Sequence, residues 1–144
     1  MNANVIETDH LTMEYGDKKA LDNINLTIAA NKVTAIVGAN GAGKSTLFKI
    51  LLGVLKPSSG TASILGQHPQ KLSADAKAKI GFVNEEHCLM NWLPIKHLKK
   101  LQRSFYPNWD EAVFKAVIQY FDVSEDHLIS KLSRGERAGV SLAL

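Results

Sequence analysis

The sequence predicts an α/β protein in which a phosphate-binding loop joins a buried strand to an amphipathic helix. Three observations indicate this class: a glycine-rich loop of fixed spacing at residues 38–46, period-two alternation within the first 30 residues, and helical periodicity in the last third. With 144 residues, of which 45% are apolar, the chain is long enough to bury a core.

The glycine-rich loop carries the most specific chemistry. It reads Gly38-Ala39-Asn40-Gly41-Ala42-Gly43-Lys44-Ser45-Thr46 and fits the pattern G-x-x-x-x-G-K-[ST] in full. Its glycines allow a tight turn whose backbone amides point at phosphate oxygens. Lys44 can reach the β- and γ-phosphates, and the Ser45 hydroxyl can bind Mg²⁺. We therefore expect every residue of the loop to contribute to binding a nucleoside triphosphate.

Both flanks of the loop favour this interpretation over a chance glycine turn. The preceding segment 33–37 is apolar and largely β-branched, which predicts a short buried strand. The following residues show the spacing of an amphipathic helix, with apolar positions at Leu47, Ile50, Leu51, Val54 and Leu55. Phosphates would then lie at a helix N-terminus, where unpaired amides and the helix dipole favour negative charge.

The remaining β structure is predicted from alternation and turn residues. Residues 23–28 alternate polar and apolar side chains, and residues 14–18 supply a turn before them. We expect antiparallel strands in the first 30 residues and further short strands at 61–65 and 79–83.

The sequence becomes helical from Ile95 onward. Asp110 is the expected N-cap of a helix whose apolar face holds Val113, Val117, Tyr120 and Phe121. Ser133 and Glu136 form an S-x-x-E capping box, so a further helix should start at Ser133 and run toward Leu144. The start of that helix is a second candidate anion site.

Composition excludes several classes of protein. The net charge of +3 and the 22% of charged residues give no reason to expect nucleic acid as a partner. The single cysteine, Cys88, permits no internal disulfide and suits a reducing cytoplasm. We see neither a signal peptide nor an apolar run near the roughly 20 residues that cross a bilayer. A role at the membrane would thus require a partner chain.

Three segments together resemble the ATP-binding-cassette (ABC) ATPases over nearly the whole chain. Residues 132–136, Leu-Ser-Arg-Gly-Glu, are similar to the L-S-G-G-Q signature of that family, and match it at Leu132, Ser133 and Gly135. Tyr15 stands where the family has an aromatic residue that stacks on adenine. Residues 80–85 resemble the strand leading into the family's Q-loop, with Glu85 at the glutamine position, where it can bind Mg²⁺.

The resemblance implies a subunit that binds ATP and Mg²⁺ and pairs head-to-tail with a second ATP-binding subunit. In such a pair, Ser133 and Gly135 of one subunit cover the ATP held by the phosphate loop of the other. Closure of the pair would pull on a membrane-spanning permease, which would hold the protein at the inner face of the cell membrane. The segment 105–110 and Glu85 look most like exporters of the ABC-2 and acetoin-utilisation type.

The resemblance also implies two subdomains and a missing part. We expect a β subdomain with the phosphate-loop core at 1–91 and a helical subdomain with the signature at 92–144. The sequence stops inside the signature helix, before the family's Walker B strand, whose Asp-Glu end binds Mg²⁺ and activates water, and before its switch histidine. We therefore expect a truncated ATPase domain that is nearly inactive alone and associates through its unpaired strand edges.

Three alternative functions remain open at this stage. The chain could be a non-catalytic, ATP-binding regulatory module, because the hydrolytic residues are absent from it. It could also be a soluble ABC ATPase of translation or DNA repair, or a small kinase that shares the phosphate loop. Tyr15 and the segment Ser133-Arg134-Gly135 argue against the kinase.

Overall fold

The computed structural model describes residues 4–84 and 89–144. The chain divides into two compact units, residues 1–76 and 77–144, so this division comes earlier in the chain than the predicted boundary between residues 91 and 92. The described strands are β1 (Asn4–Tyr15), β2 (Lys18–Ala29) and β3 (Ser59–Ile64). The described α-helices are α1 (Lys44–Leu51), α2 (Ala74–Lys77), α3 (Ile95–Arg103), α4 (Glu111–Tyr120) and α5 (Arg134–Ala143).

The first unit is built on an antiparallel sheet in the order β2-β1-β3. A tight turn at Gly16 and Asp17 joins β1 to β2, which confirms the predicted antiparallel start of the chain. The register between β1 and β2 shifts after Thr8, whose side chain is buried. There the Thr8 hydroxyl links the two strands: it donates to the carbonyl oxygen of Ile24 and accepts from the amide of Leu26, both at 2.9 Å. The predicted strand at 61–65 is confirmed over residues 61–64, which belong to β3, and Leu65 begins the turn that follows.

Helix α1 packs its apolar face against this sheet. The predicted positions Leu47, Ile50 and Leu51 are all buried and share a core with side chains of β1, β2 and β3. The helix ends earlier than its apolar spacing suggests. Gly53 follows it in a left-handed conformation, with φ 73°, and Val54 beyond it is 68% exposed. A glycine in this conformation is a common helix stop, because it carries no Cβ to clash.

The prediction of a buried strand at 33–37 is wrong for this structure. No described segment pairs with these residues, and Val33 and Val37 are 103% and 91% exposed. An apolar, β-branched sequence favours a strand, but a strand forms only where a neighbour completes its hydrogen bonds. None of the three described strands occupies that place.

The predicted strand at 79–83 is also wrong. Helix α2 ends at Lys77, and the amide of Ile80 then donates to the carbonyl oxygen of Lys77 in a turn. Phe82 and Val83 follow in irregular backbone and are 56% and 45% exposed. As at 33–37, the sequence supplies the side chains of a strand without a described neighbour to pair with.

The second unit is helical, as predicted, and has its own core. Helices α3, α4 and α5 surround a buried cluster of Ile95, Leu98, Phe114, Ile118, Val123, Ile129, Leu132 and Val140. Helix α5 approaches the end of α4 closely at Gly139, where an added Cβ would overlap the ring of Phe121. This unit supports the start of α5, the second predicted anion site.

The N-cap of α4 is confirmed, but its predicted apolar face is right only in part: Phe121 packs against the core, whereas Val113 and Tyr120 do not. The Asp110 carboxylate accepts from the amides of Ala112 and Val113 at 2.9 and 3.1 Å. The side chains buried beneath α4 are Phe114 and Ile118, whereas Val113 is 57% exposed and Tyr120 is 85% exposed. Apolar residues form two neighbouring rows along α4, one with Val113 and Val117 and the other with Phe114 and Ile118. The second row is buried, because it lies on the side of α4 that packs against α5.

No helix in the described part of the chain has both the length and the apolar character required to cross a membrane.

Candidate functional site

The phosphate loop is shaped by two glycines in left-handed backbone. Gly41 has φ 83° and Gly43 has φ 87°, a region that side chains of L-residues rarely adopt. Between them the amide of Ala42 closes a turn onto the carbonyl oxygen of Ala39 at 3.1 Å. The loop therefore folds back on itself immediately before α1, as its sequence pattern predicts.

Gly43 also anchors the loop to the sheet. It is the N-cap of α1, and a Cβ at this position would overlap the carbonyl oxygen of Ala20 in β2. Only a hydrogen fits in that space. The strand therefore fixes where α1 begins and hence the direction in which its first amides point.

The first turn of α1 presents unpaired amides. Within the described residues, the backbone N–H groups of Gly43, Lys44, Ser45 and Thr46 donate to no protein acceptor, and the first such bond comes from Leu47 to Gly43 at 2.9 Å. No acidic side chain lies in this turn. Several amides at the positive end of a helix dipole form a ready site for a phosphate group.

The Lys44 ammonium lies over the loop itself. Its Nζ donates to the carbonyl oxygens of Gly38 and Ala39 at 2.7 and 2.8 Å. Both acceptors are neutral, and a phosphate oxygen is a stronger partner for an ammonium than a neutral carbonyl. The side chain is thus held at the loop and can exchange these bonds for phosphate contacts.

The predicted magnesium ligands are Ser45 and Glu85. Ser45 is the second residue of α1, and its exposed hydroxyl has no protein partner in the described part of the chain. A free hydroxyl beside a phosphate site matches the oxygen donors that Mg²⁺ prefers, and Mg²⁺ usually takes its remaining ligands from phosphate and water. Glu85 lies outside the described residues.

Tyr15 lies at the same end of the β1–β2 hairpin as the loop's anchor. It is the last residue of β1 and pairs with Lys18, two residues before the Ala20 carbonyl that Gly43 approaches. Its ring is 48% exposed. The side chain is therefore available to stack on a flat ligand, as the resemblance implies.

The second predicted anion site has the expected local geometry. The Ser133 hydroxyl accepts from the Glu136 amide at 3.2 Å, and the Glu136 carboxylate accepts from the Ser133 amide at 2.6 Å. The predicted capping box is confirmed. Hydrogen bonds from the Ser133 side chain and amide lower the pKa of Glu136, so its carboxylate is charged at neutral pH. Gly135 is exposed, with open space where a Cβ would be.

Sequence reasoning missed two contacts of the phosphate loop. It gave no sign that the Ala20 carbonyl would exclude any side chain at residue 43, or that carbonyls of the loop would hold Lys44. The first contact joins residues far apart in the chain, and no sequence pattern carries it. The glycine–lysine spacing signals the second only indirectly, because it fixes how the loop folds back toward α1.

Comparison with known proteins gives a consistent result. A family model described as ABC transporter matches residues 21–144. Over 143 residues the chain is 38% identical to the zinc import ATP-binding protein ZnuC of Haemophilus ducreyi, in a match that covers 96% of this chain and 49% of that protein. The chain therefore spans about half the length of this curated relative.

Solved structures share the fold. An ATP-binding subunit of an ABC transporter superposes with a TM-score of 0.81 at 21% identity, covering 96% of this chain and 60% of that one. A bacterial Atm1-family ABC exporter with ATP bound gives a TM-score of 0.79 at 25% identity and covers 99% of this chain and 27% of that one. These likenesses confirm the predicted fold class, an α/β ATPase core with an antiparallel β part and a helical part.

Proposed function

The chain belongs to the ABC transporter family, and from this premise we propose that the protein is an ATP-binding and ATP-hydrolysing transport subunit. The observation that carries the proposal is the start of α1, where Gly43, Lys44, Ser45 and Thr46 offer unpaired amides beside the Lys44 ammonium. This arrangement can bind a polyphosphate without rearranging the sheet or the helix.

We assign the parts of the nucleotide as follows. The loop from Gly38 to Thr46 binds the β- and γ-phosphates, through the unpaired amides of Gly43 to Thr46 and the Lys44 ammonium, and Tyr15 stacks on adenine. Ser45 and Glu85 bind Mg²⁺, which supplies charge neutralisation on the phosphates. The support for these assignments is the loop geometry, the exposure of Tyr15 and the free hydroxyl of Ser45.

We further propose that two copies, or this chain and a related subunit, pair head-to-tail around ATP. Ser133 and Gly135 of one copy would then contact the phosphates bound by the other. Hydrogen bonds to charged groups contribute roughly 1.5–3 kcal/mol each, so a few such contacts can drive ATP-dependent closure. A membrane-spanning permease would receive that motion and hold the subunit on the cytoplasmic face of the membrane.

Hydrolysis is a proposal for the protein expressed from its complete reading frame. The family's Walker B aspartate, catalytic glutamate and switch histidine follow the signature and do not occur in these 144 residues. ATP turnover by the complete protein would separate a transport ATPase from a regulatory module that only binds ATP. Dependence of that turnover on a co-expressed permease would separate it from a soluble ABC ATPase.

The expected direction of transport was export, and the name of the ZnuC relative does not support it. ZnuC of Haemophilus ducreyi, at 38% identity, is named for zinc import, whereas the Atm1-family exporter described above shares 25% identity. Uptake is therefore the direction to test first, by measuring accumulation of labelled zinc in cells with and without the gene. The ABC-2 and acetoin-utilisation subtype stays a prediction.

Lys44→Ala tests the phosphate site directly. Calorimetry of the complete protein should give heat of binding with Mg²⁺ and ATP, and Lys44→Ala should abolish it because the ammonium that contacts the phosphates is gone. Lys49→Ala is the matched control, since Lys49 is an exposed lysine near the other end of α1. Undiminished affinity in a folded Lys44→Ala protein would contradict the proposed function.

Tyr15→Ala tests the adenine assignment separately. Loss of one stacking contact should weaken ATP binding by roughly 1–3 kcal/mol, by analogy with stacking of bases on aromatic side chains. Binding of inorganic triphosphate, which has no base, should not change. Equal loss for both ligands would mean that the substitution disturbs the loop, and no loss for ATP would refute the assignment.

A further inference from the structure

The phosphate loop contains the one Asn-Gly pair in these 144 residues, Asn40-Gly41. Asparagine is a chemically labile residue, and it loses ammonia most readily before glycine, because a residue without a side chain lets its backbone nitrogen reach the asparagine side chain. The reaction needs an exposed asparagine and a following amide that no hydrogen bond holds. The structure meets both conditions at this pair.

Asn40 and Gly41 are the central residues of the turn that the Ala42 amide closes onto the Ala39 carbonyl oxygen at 3.1 Å. Such a bond joins the outer residues of a four-residue turn and does not use the two central amides. Within residues 4–84 and 89–144, the Gly41 amide donates to no acceptor and the Asn40 side chain has no hydrogen-bond partner. Both residues are exposed, and the space where a Cβ of Gly41 would lie is open. Neither packing nor hydrogen bonding therefore holds the two reacting groups apart.

We propose that Asn40 is a deamidation site and that its conversion weakens nucleotide binding by the phosphate loop. The backbone nitrogen of Gly41 forms a bond to the side-chain carbonyl carbon of Asn40, and the bond from that carbon to Nδ2 breaks. The departing amide takes up the proton of the Gly41 nitrogen and leaves as ammonia. Water then opens the cyclic imide at either of its carbonyl groups, which gives aspartate or isoaspartate without any oxidation or reduction.

Either product places a carboxylate in the loop that binds the β- and γ-phosphates, so the effect on binding rests on the proposed function. A negative charge there opposes the approach of the phosphates and offsets the charge of the Lys44 ammonium, which lies over the same loop. Isoaspartate also adds a carbon atom to the main chain inside the turn, which changes the spacing of the loop amides. Conversion should therefore lower ATP affinity about tenfold.

Timed incubation of the complete protein in mildly alkaline buffer, followed by peptide mapping with mass spectrometry, tests the modification without any nucleotide. Conversion of asparagine to the acid should be faster at Asn40 than at Asn31, an exposed asparagine in a turn that is followed by lysine. An isoaspartate methyltransferase should label the peptide that contains residue 40. Conversion at Asn40 that is absent, or no faster than at Asn31, would overturn the proposed site.

Calorimetry of the same samples with Mg²⁺ and ATP tests the consequence. The heat of tight binding should decline in step with the converted fraction of the parent, whereas Asn40→Gln should retain the binding that it has at the start, because its longer side chain closes a ring far more slowly. An equal decline in Asn40→Gln, or a converted parent that binds ATP as tightly as fresh protein, would overturn the loss of binding. Fresh parent protein that gives no heat would instead refute the proposed function, and the peptide map would still decide the modification.

Discussion

At the scale of single residues, helix α5 contains two serines in opposite situations. Ser133 caps the helix, with its hydroxyl accepting from the Glu136 amide at 3.2 Å. Ser141 lies near the other end, and its buried hydroxyl has no partner among the described residues. A hydroxyl buried without a partner loses its bonds to water and gains nothing in return. The same side chain should therefore stabilise the protein at one position and destabilise it at the other.

Alanine substitutions should separate the two serines by sign. Ser133→Ala should lower the free energy of unfolding by about 1 kcal/mol, the usual loss for an N-cap. Ser141→Ala should raise it by about 1 kcal/mol, because the buried polar atom disappears and alanine is the better helix former. Urea unfolding followed by far-ultraviolet circular dichroism would measure both. Destabilisation by Ser141→Ala would indicate that its hydroxyl has a partner after all.

At the scale of elements, Lys99 ties α3 to α4 and to the segment that follows α4. Its Nζ lies 2.8 Å from the Glu111 carboxylate and 2.6 Å from that of Glu125, with only 17% of its side chain exposed. Its ammonium also lies 5.1 Å from the centre of the Phe114 ring. Burial opposes the charge of Lys99, but the bonds to the two carboxylates prevail and raise its pKa.

Lys99→Met should lower the melting temperature by several degrees more than Lys96→Met. The first change leaves two carboxylates without their shared cation, whereas Lys96 pairs with the well-exposed Asp126 alone, and exposed pairs contribute little. Circular dichroism melting curves at neutral pH would measure the difference. Equal effects of the two substitutions would show that the ion pairs of Lys99 with Glu111 and Glu125 stabilise the fold no more than an exposed pair does.

The ion pair between Lys99 and Glu111 predicts a loss of stability in acid. The bond from Lys99, followed by that from the Trp109 indole, lowers the pKa of Glu111 below its ordinary 4.5. A carboxyl group with a lowered pKa in the folded state stabilises the fold above its unfolded pKa, and this contribution disappears as the pH falls through the folded value. Melting temperatures should therefore decline below about pH 4.5, and less steeply in Lys99→Met. Parallel pH profiles for parent and variant would contradict this linkage.

Helices were easier to predict than strands because their signals are local. The caps at Asp110 and Ser133 each join residues no more than three positions apart, and both were predicted. The strand at 23–28 was predicted as well, since a tight turn brings its partner β1 alongside it. Segments 33–37 and 79–83 also have the apolar composition of strands, but no described strand pairs with either of them. Composition does not show whether such a partner is present.

In the candidate site, too, the features that the sequence predicts are local, and those that it does not predict depend on residues distant in the chain. The phosphate loop with Lys44 and the N-cap Ser133 follow from patterns within a few residues, so the sequence alone predicts where they lie. The overlap that excludes a side chain at Gly43 depends on Ala20 in another strand, and the stripe of α4 that is buried depends on α5. Packing partners that are distant in the chain decide such features.

At the scale of the whole molecule, segment 33–37 is exposed and pairs with no strand in the described part of the chain. Val33 and Val37 are 103% and 91% exposed immediately before the phosphate loop. The chain spans about half the length of its ZnuC relative. The resemblance to the family implies that further strands would lie beside segment 33–37. An unpaired, apolar, β-branched segment can instead pair with the same segment of another molecule.

Residues 1–144 expressed as such should therefore self-associate through 33–37. Light scattering with size-exclusion chromatography should show dimers or larger species, and Val33→Lys with Val37→Lys should shift the protein toward monomer, because charged side chains on an exposed edge oppose strand pairing. Val54→Lys is the control for added charge, since Val54 is also exposed, at 68%, but follows α1. If the parent protein stays monomeric and unfolds cooperatively, segment 33–37 does not drive self-association. If Val54→Lys shifts the protein to monomer as much as the double substitution does, the contact between molecules lies elsewhere.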